Sequence, residues 1–305
     1  MFRFIARRLL QTIPVLLVII TATFFMVRFV PGGPFTSEKA LPPEILRNIE
    51  AHYGLDQPLW RQYLNYLGQV ARGDLGPSFK YTNRSVNEII GQTLPVSLEL
   101  GGWALLVALA VGLPLGVLAA VRRNSWLDYA CSVIGMIGIC VPVYVGGPLF
   151  ALLFGVYLQW VNVSGWYEGI DRVLPALTLG LAYAAYIMRM TRGGMLEVLG
   201  QDYIRTAWAK GLGERLVIVR HALRNAMIPV VTLVGLQAPL LIGGAVIIEQ
   251  IFVIPGMGLL LLDAVQQRDY PIITGVFLVV GVAVMLINLL VDLSYGVLDP
   301  KVRFR

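Results

Sequence analysis

Charge is what this sequence has least of. Only 14% of its 305 residues are charged, against roughly 25% in a soluble domain. Histidine and cysteine are scarcer still, at two each: His52, His221, Cys131 and Cys140. Two histidines far apart in the chain argue against a histidine-based active site. The cysteines stand nine residues apart in one apolar window, on opposite sides of a helix, so neither a local disulfide nor a metal site is expected. Small packing residues are the plainer reading of both. The chain also has no G-x-x-x-x-G-K-[ST] phosphate loop, no HExxH pair, no CxxC and no nucleophile elbow. If it moves a solute uphill, the free energy must come from a partner or an ion gradient.

Long apolar runs are abundant instead. Mean hydropathy is +0.73, and six windows are free of charge: 9–27, 100–121, 129–167, 173–188, 225–248 and 270–291. About 20 apolar residues cross the hydrocarbon core as a helix. The expected fold is therefore an all-α polytopic membrane protein. The first window follows Arg3, Arg7 and Arg8, as a secretory signal would. It is longer than a signal's apolar core and ends on Arg28 and PGGP, with no small-residue cleavage site, so it is expected to remain as a span.

Window 129–167 is long for one helix and just long enough for a hairpin, and charge decides between them. Cytoplasmic loops collect Lys and Arg. A single crossing gives six spans with both termini cytoplasmic. It places Arg122 and Arg123, the seven cations Arg189, Arg192, Arg205, Lys210, Arg215, Arg220 and Arg224, and the tail Lys301, Arg303 and Arg305 on the inner side. A hairpin would turn the seven-cation loop outward. Pro142, Gly146, Gly147 and Pro148 are expected to kink or interrupt this third span.

Three parts follow: a cytoplasmic N-terminus with span one (1–30), a small extracytoplasmic helical subdomain (31–95), and a permease domain (96–305) with a cytoplasmic loop at 189–228. The middle part balances its charges and is rich in Pro/Gly turns. Within it, 59–70 places Leu59, Tyr63, Tyr66, Leu67 and Val70 on one helical face, to lie on the membrane surface or cap the bundle.

The polar stretch QDYIRTAWAKGLG (201–213) stands apart. Asp202 suits a helix N-cap, Tyr203 to Lys210 make about two turns, and Gly211 suits the left-handed residue that closes a helix. Gly213 adds a second break, and another helix starts near Glu214. An interfacial amphipathic helix on lipid headgroups would account for the cations. It would not account for a capped, glycine-ended element between spans four and five.

RTAWAKG (205–211) with RHALRNAMIP (220–229) resembles the cytoplasmic loop of ABC-importer permease subunits, a Glu-Ala-Ala triplet, three residues, a glycine and a second helix. Arg205, Thr206 and Ala207 align on the triplet and Gly211 on the glycine. Arg205 is not acidic, and of the family's later Ile-x-Leu-Pro only Leu223 agrees. Both departures resemble the peptide and nickel branch. FIARRLLQTIPVLL (4–17), PGGP, GDLGPSF (73–79), GVLAAVRR (116–123), MTRGGMLEVLGQDYIRTA (190–207), IEQIFVIPGMG (248–258), QQRDYPI (266–272) and VDLSYGVLDPKVR (291–303) extend the likeness over nearly the whole chain. It is nearest to the B-type transmembrane subunits of bacterial oligopeptide permeases, and part of the C-terminal half is equally like the dipeptide type.

The resemblance implies a type I importer fold in the bacterial plasma membrane and a coupling helix that docks on cytoplasmic ATPases. The residues carried over to that docking are Asp202, Tyr203, Arg205, Thr206, Ala207, Trp208, Lys210, Gly211 and Gly213, with Tyr203, Ala207 and Trp208 as the apolar contact face. The implied partners are a second homologous permease chain, two ABC ATPase subunits that bind ATP and Mg, an extracytoplasmic peptide-binding protein and membrane lipid. No cofactor, metal or nucleic acid is expected on this chain. Six spans are few for a peptide pore, so the path is shared. Its lining should be small or weakly polar, with Ser97, Glu99, Gln237, Gly243 and Gly244 as candidates, and Gly101 and Gly102 beside them. Close helix packing competes for the glycines, as in the pair Gly112 and Gly116.

Two alternatives remain: an importer of nickel, haem or another cargo on the same scaffold, and a proton-driven secondary transporter. The second needs ionisable groups inside the membrane, for which Arg28, Glu99, Glu249 and Asp292 are the candidates, Glu99 reading as the deepest.

Overall fold

A computed structural model describes residues 2–35, 43–243 and 245–298. Among them the regular elements are helical, and extended pairing is limited to an isolated bridge between Pro77 and Ser85. In chain order the α-helices are α1 (Phe2–Phe29), α2 (Pro43–His52), α3 (Leu59–Ala71), α4 (Val86–Val121), α5 (Trp126–Cys140), α6 (Val143–Phe150), α7 (Val173–Leu199), α8 (Asp202–Ala209), α9 (Glu214–Leu216), α10 (Leu223–Gly243), α11 (Val246–Ile251), α12 (Met257–Gln267) and α13 (Tyr270–Leu298). Hydrocarbon offers no partner to a backbone N–H or C=O, so apolar runs this long close their hydrogen bonds within helices.

Five helical stretches are long and apolar enough to cross a membrane: 10–29, 86–121, 169–199, 214–238 and 270–293. The bent pair α5 and α6, counted as one broken span, brings the total to the expected six. The bend is 102° and falls at Val141 and Pro142, both extended (ψ 113° and 142°). Proline lacks the N–H that would continue α5, and its ring keeps the preceding residue out of the helical region. Pro148, by contrast, lies inside α6 without breaking it. The helix then widens into a π turn over Ala151–Tyr157, ten residues short of the apolar window's end.

The tightest packing joins α4 to α7. A Cβ on Gly112 would stand 2.7 Å from the Ala184 carbonyl oxygen, and one on Gly116 2.7 Å from that of Met188. The backbones meet because these two positions carry no side chain, as the small-xxx-small reading anticipated.

Helix α3 caps one end of the bundle. Tyr66 is buried, with Tyr63, Leu67 and Val70 packed beside it against Phe24 of α1 and Ile272, Ile273 and Val276 of α13. Leu59, at the first position of α3, is exposed instead. The loop before α4 is tied to the start of α13 at Asp269, whose carboxylate accepts bonds from the Ser78 hydroxyl and the Lys80 N–H. At 36 residues and 1.5 Å per residue, α4 is about 54 Å long. It begins inside the cap, so the boundary expected at 95/96 runs through a continuous helix.

Candidate functional site

Helix α8 occupies the opposite end. Three changes of winding isolate it: α7 stops at Gly200, Gln201 turns extended (ψ 149°), and Gly211 adopts φ +74°. The Gly211 N–H donates to the Trp208 carbonyl (2.9 Å) and the Leu212 N–H to that of Ala207 (3.4 Å). These are the paired bonds of a Schellman stop. An L side chain at Gly211 would carry the left-handed penalty of about 1–2 kcal/mol. The expected closure at Gly211 is therefore present, but the cap at the other end differs. Gln201 holds the N-cap backbone conformation without a side-chain bond, and Asp202 is the first helical residue. Its carboxylate lies 3.5 Å from Arg205 and both are well exposed, an arrangement worth little in water.

The inner face of α8 belongs to the chain's own core. Ile204 and Ala207 pack with Ala120 of α4, Met195 of α7, Val217 and Ala222 just before α10, and Ala226 at the start of α10. Ala207 therefore leaves the apolar contact face proposed for it: small size suits it to a close crossing within the subunit, not to an outside partner. Tyr203 and Trp208 remain half-exposed (42% and 44%) on either flank of that inner face, with Arg205, Thr206, Lys210, Gly211 and Gly213 also exposed. Asn225 of α10 donates to the Tyr203 hydroxyl oxygen at 2.7 Å, and Thr206 donates to the Asp202 carbonyl. Beyond Gly213 the chain is helical from α9 through a π turn, Val217–Ala222, directly into α10. An aromatic-bearing two-turn rod is thus held rigidly against three other helices and joined to a membrane span.

The candidate path residues do not gather. Gln237 of α10 lines a 430 Å³ cavity with Tyr183 and Tyr186 of α7, Val143 at the bend and Ile247 of α11. Its amide oxygen is buried without a hydrogen-bond partner. Ser97 is elsewhere and fully enclosed. Its hydroxyl donates to Glu249 Oε1 (2.7 Å) and accepts from the Met257 N–H (2.8 Å), while Glu249 Oε2 accepts from the Leu259 N–H (3.0 Å). Together they cap the free N–H groups that begin α12, so Ser97 is a structural clasp and not a lining residue. Glu99 is paired with Arg172 at 2.6 Å, near the Trp166 indole N–H. It is partly exposed, whereas Glu249 is fully buried, reversing the order of depth expected from sequence. Gly243 ends α10, and Gly244 lies outside the described residues. Tyr183 and Tyr186 were not anticipated; their three-residue spacing inside an apolar window, LAYAAYIM, was the available signal.

Glu249 lies on a helix of six residues, too short to cross a membrane. Burial pushes its carboxyl up from the ordinary range, opposed by the bonds from Ser97, Leu259 and Gly258. A carboxyl raised in the fold contributes stability at low pH that fades as pH climbs through its folded value. The unfolding midpoint of the wild type should therefore fall relative to Glu249→Gln as pH rises, whatever the offset between them. A difference that is flat or grows with pH would refute this ionisation.

Residues 112–304 match the family described as binding-protein-dependent transport system inner membrane component, and residues 1–101 match the corresponding N-terminal family. The chain is 44% identical to the oligopeptide transport system permease protein OppB of Haemophilus influenzae and 45% identical to that of Salmonella typhimurium, in each case over the whole of both chains. It is 42% identical to the dipeptide transport system permease protein DppB of Bacillus subtilis, over 99% of this chain and 98% of that one. An inward-facing structure of the MetNI methionine ABC transporter has the same fold, with a TM-score of 0.60 and 19% identity, covering 69% of this chain and 96% of that chain. A multi-pass helical bundle, a clamped helix between its fourth and fifth crossings and these full-length likenesses converge: the chain belongs to the binding-protein-dependent transport system inner membrane component family.

Proposed function

We propose that the chain is one of two permease subunits of an ATP-driven importer of oligopeptides or dipeptides, and that α8 is its coupling helix. The observation that carries this is the way α8 is held: Ile204 and Ala207 fix it to α4, α7 and α10, and Tyr203 and Trp208 stand half-exposed on either flank of that buried face. Aromatic anchors at the centre of a small contact are the usual hot spots of a docking surface. In this reading two ATPase subunits supply ATP and Mg and do the hydrolysis. A second, homologous permease completes the path, and a peptide-binding protein delivers cargo to the extracytoplasmic end capped by α3. Both termini are cytoplasmic.

The mechanism is alternating access. ATP and cargo must each favour one arrangement over the other. Closure of the ATPases moves α8, and the continuous helix from Glu214 passes that displacement into α10, which carries Gln237 at the cavity. The dipeptide and oligopeptide likenesses favour peptide over nickel or haem. A proton-driven mechanism has less to work with, because Asp292 pairs with Arg8 at 2.8 Å, Glu99 with Arg172, and Glu249 caps α12.

Reconstitution tests the reading. The four-subunit complex in proteoliposomes should take up labelled peptide only with ATP and the binding protein, and this chain alone should take up none under a proton gradient. Accumulation by the chain alone would overturn it.

A further inference from the structure

We infer that Val253, between α11 and α12, is a positioning residue of the transport cycle. Its strained backbone weights the chain against its present arrangement, so ATP has less to overcome in driving the chain out of it. Val253 stands at φ +52°, in the left-handed region, where a branched Cβ is a genuine outlier. Among the described residues the other non-glycines there are Asn83, Asn124, Gln159 and Arg268, none of them branched at Cβ. The hydrogen bonds show why a left-handed residue is needed. The Val253 N–H donates to the Gln250 carbonyl (3.4 Å) and the Ile254 N–H to that of Glu249 (2.8 Å). This is the stop that closes α8, bond for bond. Gly211 fills the left-handed position there without a side chain; after α11 a valine fills it.

The side chain does not offset the strain by packing, since it is 61% exposed. Its neighbours hold the conformation instead. Phe252 and Ile254 are buried on either side of it, and the Phe252 carbonyl accepts from the Gly165 N–H at 2.9 Å. The clasp of Ser97 and Glu249 fixes the first turn of α12. A Cβ on Gly256 would stand 2.4 Å from the Glu249 carboxyl carbon, so the connection packs directly on that clasp. Strain of this kind persists only where the surroundings over-determine it, and switch regions are among the places that hold it. What it would switch is α11, whose Ile247 and Ile248 line the cavity with Gln237. Turning Val253 to negative φ releases the strain and re-aims α11 against α12. A conformational equilibrium shifts only by a difference in free energy between its states, and the left-handed valine supplies one within the chain itself.

The inference deepens the transport reading and rests on it. The test uses the four-subunit complex with its binding protein in proteoliposomes, read by ATP-dependent peptide uptake and by the unfolding midpoint. Val253→Gly removes the left-handed penalty, a factor of roughly tenfold in the equilibrium. It should raise the unfolding midpoint. It should also raise the half-saturating ATP concentration for uptake by up to about tenfold, because the competent fraction falls. Val253→Thr keeps the branched Cβ and should match the wild type in both measurements. Val253→Asn, whose side chain tolerates the left-handed region, should move both in the same direction as glycine, and it decides if the glycine variant fails to assemble. An unchanged or lowered half-saturating ATP concentration would overturn the inference, as would a lowered midpoint. A threonine variant that behaves like glycine would overturn it too, because the apolar side chain and not the backbone would then be what matters. Failure of the transport reading is separate: it would appear in the wild type, as no ATP-driven uptake at all.

Discussion

Trp208→Ala should leave a folded permease that no longer holds its ATPases, whereas Ala207→Glu, one residue away, should leave no folded permease at all. The difference follows from which side of α8 each residue occupies. Trp208 is half-exposed and outside the subunit's clusters, so its truncation should shift the unfolding free energy by less than about 0.5 kcal/mol, as exposed changes do. Loss of a central aromatic anchor costs at least about 2 kcal/mol of association, or roughly a thirtyfold weaker Kd. Ala207 is 6% exposed and ringed by Ile204, Met195, Val217 and Ala226. A carboxylate there would be buried without a partner, and the expected loss exceeds about 4 kcal/mol. Detergent-extracted yield, unfolding midpoint and ATPase pull-down separate the two effects. If Ala207→Glu yields a normally stable permease, the inner-face assignment fails. If Trp208→Ala retains full ATPase affinity, the docking assignment fails.

The other large effect lies where α4 crosses α7. Gly116→Leu should prevent that crossing, because even the first carbon of the new side chain would stand 2.6 Å from Thr191 Cβ and 2.7 Å from the Met188 carbonyl oxygen. Overpacking that flexible side chains can absorb costs about 1–3 kcal/mol. Here a backbone oxygen must move, so the cost should pass the upper end of that range and the purified protein should be aggregated or absent. Gly102 sits on the same helix, and a Cβ added there would meet nothing within 4 Å. Gly102→Ala should be neutral or stabilise by up to about 1 kcal/mol, the helix-propensity difference. Equal behaviour of the two variants would show that the crossing does not depend on a missing side chain.

What could be read from sequence was what short-range chemistry decides. Apolar windows gave the spans because a bilayer imposes its length on a helix. Pro142 ended α5 because it has no N–H to continue the helix and keeps Val141 extended, and Gly211 closed α8 because only a residue tolerant of positive φ fits there. The inner face of α8 could not be read: Tyr203, Ile204, Ala207 and Trp208 span one apolar arc of about 140°, and only α4, α7 and α10 decide which part of it is covered. Ser97 likewise looked like a weakly polar liner, since its partner Glu249 is 152 positions away. The same distance hid Glu249, which stands at the edge of an apolar window but at the centre of a three-element clasp.

The π turn at Val217–Ala222 carries one more consequence. Such a turn accommodates a surplus residue while keeping the helical faces before and after it in register. Removing Val219, whose side chain is largely exposed, lets the winding relax to 3.6 residues per turn, and the azimuths of Leu216 and Gln237 are preserved. Removing buried Val230 instead rotates everything downstream by about 100°. The rod from Glu214 thus has a single splice point at which its length can change by one while its orientation does not.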